Sequence, residues 1–163
     1  MEFKKGNRGP SSAAFCIRNE EGDLVHAAAK TLSDGSNIVS EAEAIKMGVM
    51  YCVEKQLFPL IIETDSMTMK MIINAEWKIP WCISMLMDDI TRMMEDQRVT
   101  VEHIHREGNR LADILTNFVF DFAGTVQFRN FQELPSQAKK ILNLEKIGIP
   151  NLRIRTLQDK APD

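Results

Sequence analysis

Long apolar runs are absent from this sequence. The opening residues, MEFKKGNRGP, lack the apolar stretch of a secretory signal, and no segment approaches the length needed to cross a bilayer. A membrane partner is therefore not expected. We predict a soluble intracellular protein, located in the cytoplasm or the nucleus.

Cysteine is scarce as well. Cys16, Cys52 and Cys82 form an odd number, show no metal-type spacing and lie among apolar neighbours. Buried, reduced thiols are the expected state of all three. This pattern predicts a reducing compartment.

Positive charge is in short supply. The 20 Lys and Arg residues do not balance the 23 Asp and Glu residues, which gives a formal charge of −3 and a pI near 5.7. Because neutralising phosphates requires clustered Lys and Arg, tight binding of nucleic acid by overall electrostatics is not expected. An enzyme with acids gathered at a metal site stays open, since bound cations would offset the local repulsion.

The length and composition suit one compact domain, because 44% of the 163 residues are apolar and can form a sizeable core. Periodicity and turn residues predict the order ββαβααβα. Ser40 and Asn109 are the expected caps of the first and last of these helices. The segments are a hairpin in residues 11–31, helices in 40–56, 67–75, 82–97 and 109–124, and strands in 58–66 and 99–104.

Strands alternating with helices predict an α/β fold, with a mixed central sheet flanked by helices and a ligand site at the strand ends. We expect the main domain to span residues 1–124. Residues 125–163 are predicted to be a C-terminal extension, partly helical at QAKKILNLEK or loosely ordered, with a polar end TLQDKAPD.

Three acids lie at the ends of these predicted elements. Glu41 opens the first long helix, Asp65 ends a buried strand, and Asp113 lies in the first turns of a later helix. Converging carboxylates are what metal-assisted phosphodiester cleavage needs. Each acid alone has an ordinary explanation at a surface or a helix N-terminus, and His103 has one as a strand-end histidine. Asp65 stands out because a charge after a buried strand needs a partner or a metal.

Four short strings occur in order along the chain. They are GNRGP at residues 6–10, SNIVSEAEAI at residues 36–45, ETDS at residues 63–66 and HIHREGNRLAD at residues 103–113. Together they resemble the ribonuclease H family, and most closely the ribonuclease H-like domains of plant proteins derived from non-LTR retrotransposons. The resemblance covers about residues 1–123.

The resemblance implies a ribonuclease H-like fold and an endonuclease that cuts the RNA strand of RNA–DNA hybrids. By resemblance, Glu41, Asp65 and Asp113 would hold Mg²⁺, with Mn²⁺ as the alternative metal. His103 would lie on a mobile loop and assist proton transfer or product release.

Two asparagines complete the set that the resemblance implies. Asn7 and Asn37 match family positions that touch the nucleic-acid strands, and an amide side chain can both donate to and accept from sugar hydroxyls and base edges.

The sequence departs from the family pattern at its first residue. The family's metal-bridging aspartate lies five residues before the glycine of the GN turn, and that position is Met1 here. The resemblance therefore implies that the first strand is largely missing and that one ligand is absent. Two hypotheses follow, a metal-dependent endonuclease with impaired activity, or a catalytically inactive module that binds nucleic acid or a protein partner.

Overall fold

A computed structural model describes residues 11–33, 35–120, 122, 124–146 and 154–156. The predicted order ββαβααβα is confirmed, and within the described residues two further strands and one further α-helix follow it. The elements are β1 Ser11–Arg18, β2 Leu24–Leu32, α1 Asn37–Lys55, β3 Leu60–Thr64, α2 Met67–Ile73, α3 Ser84–Met94, β4 Val99–His103, α4 Arg110–Val119, β5 Thr125–Phe128, α5 Ser136–Lys146 and β6 Ile154–Thr156.

The hairpin of β1 and β2 depends on the turn between them. Gly22 adopts a left-handed backbone (φ 82°), which favours glycine, and its N–H donates to the carbonyl of Asn19 over 3.0 Å. The Asn19 side chain accepts from the N–H of Asp23 at 2.8 Å. The turn sets the register in which β1 pairs with β2 along its whole length.

The strands form one mixed sheet in the order β4-β3-β6-β1-β2-β5. β3 and β4 are parallel, whereas β1 with β2 and β2 with β5 are antiparallel. The three residues of β6 lie at the centre, parallel to β1 and antiparallel to β3. The prediction of a mixed central sheet is confirmed.

Helices cover both faces of this sheet. Successive residues of a strand point to opposite faces, and β1 shows this directly: Phe15 packs in a cluster with Cys52 of α1, whereas Cys16 packs in a cluster with Leu115 of α4. Helices α2 and α3 pack against α1 and the β3–β4 end of the sheet through a third cluster that includes Ile62. The sheet is therefore enclosed between α1–α3 and α4–α5.

Residues beyond the predicted boundary at 124 enter the same core. β5 pairs with β2, and Leu142 of α5 packs in a cluster with residues of β1, β2 and α4. A fully buried ion pair joins Arg18, the last residue of β1, to Glu145 of α5. Residues on both sides of position 124 therefore share one core, while residues 157–163 of the polar end lie outside the described part of the chain.

Some local expectations were wrong. α1 begins at Asn37, with Ser36 in the N-cap position, so Ser40 lies inside the helix and does not cap it. Asn109 precedes α4 but makes no side-chain capping bond. Cys16 and Cys52 are buried as predicted, whereas Cys82 is exposed, because it lies in the connection between α2 and α3. Within the described residues, no helix combines the length and apolarity that crossing a membrane requires.

Candidate functional site

A cavity of about 480 Å³ lies between β1 and β3, with α1 on one face of the sheet and α4 on the other. Glu41, Asp65 and Asp113 all line it. The sheet and two helices thus bring together three acids that lie far apart in the sequence.

The β3–α2 junction fixes the position of Asp65. Buried Ile62 and Thr64 anchor the end of the strand, and the Thr64 hydroxyl accepts from the N–H of Ser66 at 3.1 Å. The Ser66 hydroxyl in turn accepts from the N–H of Met69 at 3.2 Å, which caps α2. Asp65 lies between the residues that make these two bonds and lines the cavity.

Glu41 and Asp113 approach Asp65 from the two helices. Neighbouring residues of α1, including Ala42 and Ile45, pack into the core and leave Glu41 beside the cavity. Asp113 lies in the first turn of α4, between buried Ala112 and buried Leu115. The burial of these neighbouring residues fixes the orientation of each helix, and that orientation places Glu41 and Asp113 beside the cavity.

The charge of Asp65 acts on both of the other acids. Burial raises the pKa of Glu41; a hydrogen bond from Ser66 opposes that shift, and the charge of Asp65 adds to it. Burial likewise raises the pKa of Asp113, as does the Asp65 charge, against the opposing charge of Arg106. Asp65 is thus the charge common to both effects.

These side chains have the chemistry of a hard-cation site. Carboxylate oxygens are the preferred ligands of Mg²⁺, and a cation would relieve the repulsion centred on Asp65. Among the described residues, however, no group of three or more His, Cys, Asp or Glu side chains lies close enough to hold one ion. The donor set fits the chemistry of a divalent cation, although its members are not preassembled around one point.

His103 occupies a different place from the one expected. The resemblance implied a mobile loop, but His103 is the last residue of β4 and pairs with Thr64. Its Nε2 lies 3.2 Å from the backbone carbonyl oxygen of Asp65. A carbonyl only accepts, so Nε2 is the protonated nitrogen in this bond and Nδ1 is left to exchange protons. His103 adjoins Asp65 but is not among the residues that line the cavity.

The other predicted residues have different outcomes. Asn37, the first residue of α1, lines the cavity. Asn7 lies outside the described residues. His105, the second histidine of the string HIHREGNRLAD, was not a predicted site residue; its ring centroid lies 6.3 Å from that of His103, in an edge-on arrangement.

Sequence reasoning assigned no role to two polar residues of the cavity. Arg106 and Asn109 both line it, and the Oδ1 atom of Asn109 is buried without a hydrogen-bond partner among the described residues. Both lie in the string HIHREGNRLAD, which is the sequence feature that could have identified them as residues of the site. Their side-chain directions depend on the short turn between β4 and α4, which spacing alone does not fix.

The comparisons with known proteins agree with this architecture. A family model described as reverse transcriptase-like matches residues 2–119. No curated protein is significantly similar to the sequence.

Solved structures with the same fold include three ribonucleases H. RNase H1 from the halophilic archaeon Halobacterium salinarum superimposes with a TM-score of 0.66 at 17% identity, covering 73% of this chain and 92% of the archaeal one. LC11-RNase H1, isolated from compost and solved in complex with an RNA/DNA hybrid, gives a TM-score of 0.65 at 21% identity, covering 73% of this chain and 91% of its own. The N-terminal RNase H domain of a Mycobacterium tuberculosis protein gives 0.52 at 16% identity, covering 71% and 95%. At these identities the likeness establishes the fold.

Proposed function

Because the chain belongs to the reverse transcriptase-like family and has the ribonuclease H fold, we propose that it binds RNA–DNA hybrids and hydrolyses their RNA strand with Mg²⁺ or Mn²⁺. The observation that carries this proposal is that Glu41, Asp65 and Asp113 line one cavity. The charge of Asp65 contributes to the raised pKa of both other acids. The hybrid bound to LC11-RNase H1, a protein of the same fold, supports this class of substrate.

The roles of the residues follow from their positions. Asp65 would hold the cation at the β3–α2 junction, and Glu41 and Asp113 would supply further oxygen ligands. A bound divalent cation supplies an activated water and offsets the charge that develops on the phosphate. Asn37 offers an amide to the sugar hydroxyls at the cavity, and His103 offers Nδ1 for proton transfer.

We expect a reduced rate. By resemblance, the metal-bridging aspartate falls at Met1, which has no carboxylate, and losing a group that positions the cations removes transition-state stabilisation. The absence of a preassembled three-ligand group among the described residues points the same way.

The lack of a preassembled three-ligand group among the described residues also favours a second candidate function. In this case the chain would be a module that binds RNA–DNA hybrids, or a protein partner, without cutting the RNA strand. The net charge of −3 is compatible with it, because binding by shape and hydrogen bonds needs fewer cations than binding by overall electrostatics. Origin from a plant retrotransposon and an intracellular location stay predictions under either candidate.

A cleavage assay on a hybrid with a labelled RNA strand separates the two. We expect cutting in Mg²⁺, none in EDTA, and a loss of roughly 100-fold or more in Asp65→Asn, since one charge-stabilising group typically contributes that much. Asp88→Asn, on the exposed face of α3, is the matched control and should cut like the parent chain.

Hybrid binding, measured in parallel by fluorescence anisotropy, decides the other outcome. Binding without metal-dependent cutting would leave the second candidate and reject the first. Cutting that survives Asp65→Asn would mean that the assigned site is wrong.

A further inference from the structure

Arg106 begins the short connection between β4 and α4. A single 3₁₀ turn, Arg106–Asn109, links the two elements, and the N–H of Gly108 donates to the carbonyl of His105 at 2.8 Å. β4 pairs with β3 up to the strand end that precedes the candidate site, and α4 carries Asp113 in its first turn. The turn therefore fixes Arg106 between two elements that build the site.

Arg106 brings positive charge to an acidic cavity. It lines the cavity together with Glu41, Asp65 and Asp113, and no other Lys or Arg of the described residues does so. Arg106 is also exposed to solvent. A molecule that reaches the three acids from solvent therefore meets this cation as well.

The charge of Arg106 acts on the site without an ion pair. Burial and the charge of Asp65 raise the pKa of Asp113, and the charge of Arg106 opposes them. The ion pairs formed within the described parts of the chain do not include Arg106. Among these residues, no carboxylate engages the five N–H donors of its guanidinium, which suit an anionic ligand.

The proposed substrate supplies such an anion. Each backbone phosphate of a nucleic acid carries a negative charge, which three acids in one cavity repel. A bound divalent cation offsets the acids where it binds, whereas a neighbouring phosphate needs a cation of its own. The net charge of −3 means that the chain as a whole does not supply this attraction. A guanidinium suits the task, because it donates two parallel hydrogen bonds to one phosphate.

We propose that Arg106 is a substrate-binding residue that donates to one backbone phosphate of the RNA strand, next to the phosphate held at the three acids. Phosphate contacts set the register and orientation of a bound strand, so this contact would position the strand over Asp65 and Asp113. The inference rests on the proposed function, since it needs a hybrid at the cavity. In the alternative role, Arg106 is only a counter-charge to Asp113 and needs no substrate.

Arg106→Gln and Arg106→Lys test the contact, with Arg98→Gln as the matched control. Arg98 is exposed and precedes β4, at the opposite end of that strand from the site. Arg106→Gln should raise KM and the hybrid Kd about tenfold, the scale of a charge-assisted hydrogen bond. It should leave kcat within about twofold, because a contact made equally in the ground and transition states changes KM alone.

Salt dependence counts the phosphate contacts. The slope of log Kd against log salt concentration should fall by about one in Arg106→Gln, the value for one lost phosphate contact. Arg106→Lys should keep the slope and recover only part of the affinity, because an ammonium lacks the paired donors. Arg98→Gln should match the parent chain, and circular dichroism establishes that each variant is folded.

A single uncharged linkage locates the contact. In a series of hybrids, one RNA phosphate at a time is replaced by methylphosphonate, with a 2′-O-methyl group on the preceding nucleotide to keep the linkage stable. Binding is measured by fluorescence anisotropy in EDTA, where the RNA is not cut. At one position the replacement should weaken binding to the parent chain about tenfold and weaken binding to Arg106→Gln no further, as expected for two groups in direct contact.

The outcomes separate this inference from the proposed function. If the parent chain cuts hybrids and Arg106→Gln keeps the parental KM, Kd and salt slope, Arg106 is only a counter-charge and the nuclease function stands. Equal losses in Arg106→Gln and Arg98→Gln would indicate a general effect of charge. A fall in kcat at unchanged KM would assign Arg106 to the reaction step and reject its role in binding. A parent chain that does not bind hybrids would reject the proposed function and this inference together.

Discussion

At the scale of single residues, the charge of Asp65 organises the candidate site. It raises the pKa of Glu41 and of Asp113, in each case second to burial among the causes that raise it. An acid whose pKa is raised in the folded state contributes stability that is present below its unfolded pKa and lost as pH rises through the folded value. In the metal-free protein, the stability supplied by these two acids therefore falls as pH rises above the ordinary carboxyl range.

Asp65→Asn tests this pH dependence. Removing the charge should lower the pKa of Glu41 and of Asp113 and flatten the fall in unfolding free energy above their ordinary pKa values, 4.5 and 3.8. Urea unfolding at a series of pH values measures the slope, and carboxyl NMR titration measures the two pKa values directly. Asp88→Asn is the control, and identical slopes in all three proteins would contradict the coupling.

His103 and His105 can be separated by substitution. Neither histidine lines the cavity. His103 is the one whose ring is held beside the site, by the hydrogen bond from its Nε2 to the Asp65 carbonyl. If His103 transfers protons, His103→Ala should lower the hybrid-cleavage rate about 100-fold, the lower end of the usual contribution of a general acid or base. His105→Ala should change the rate only severalfold, and equal effects would reject the assignment to His103.

At the scale of elements, α5 is part of the structure that supports the site. Leu142 is 1% exposed and packs in the same cluster as Leu111 and Leu115 of α4, the helix that carries Asp113. A sequence-based boundary at residue 124 does not anticipate this packing, because α5 has a polar composition apart from its buried face.

Leu142→Ala should therefore lower the unfolding free energy by about 2–5 kcal/mol, the usual cost of such a deletion in a core. Leu144→Ala, in the same helix but 42% exposed, should change it by about 0.5 kcal/mol or less. Urea denaturation followed by circular dichroism compares them. Equal effects would show that α5 does not pack on α4 in solution.

At the scale of the whole molecule, a divalent cation should couple to stability. If Glu41, Asp65 and Asp113 bind Mg²⁺ in the folded chain, a concentration ten times the dissociation constant adds about 1.4 kcal/mol, or roughly 3–6 °C in Tm for a chain of this size. Differential scanning fluorimetry with Mg²⁺ and Ca²⁺ measures it. The increase should vanish in Asp65→Asn and persist in Asp88→Asn, and a shift of equal size in every variant would indicate nonspecific binding.

The eight elements from β1 to α4 and the acidic candidates at their ends can be predicted from the amino-acid sequence alone. Hydrophobic periodicity and turn residues are local properties, so the hairpin of residues 11–31 and the buried strand before Asp65 could be predicted from short windows. Helix starts are harder to predict from sequence. Ser36, Asn37 and Ser40 all satisfy the local rule for an N-cap residue, and the helix begins at Asn37 rather than after Ser40.

Which of these residues lie close together depends on the packing of the whole chain. The insertion of β6 between β1 and β3, the packing of α5 on α4, and the cavity shared by Glu41, Asp65 and Asp113 all join residues far apart along the chain. Arg106 and the strand-end position of His103 belong to the same group. Pairing and burial over such separations depend on the whole set of competing contacts, which no local window of sequence contains.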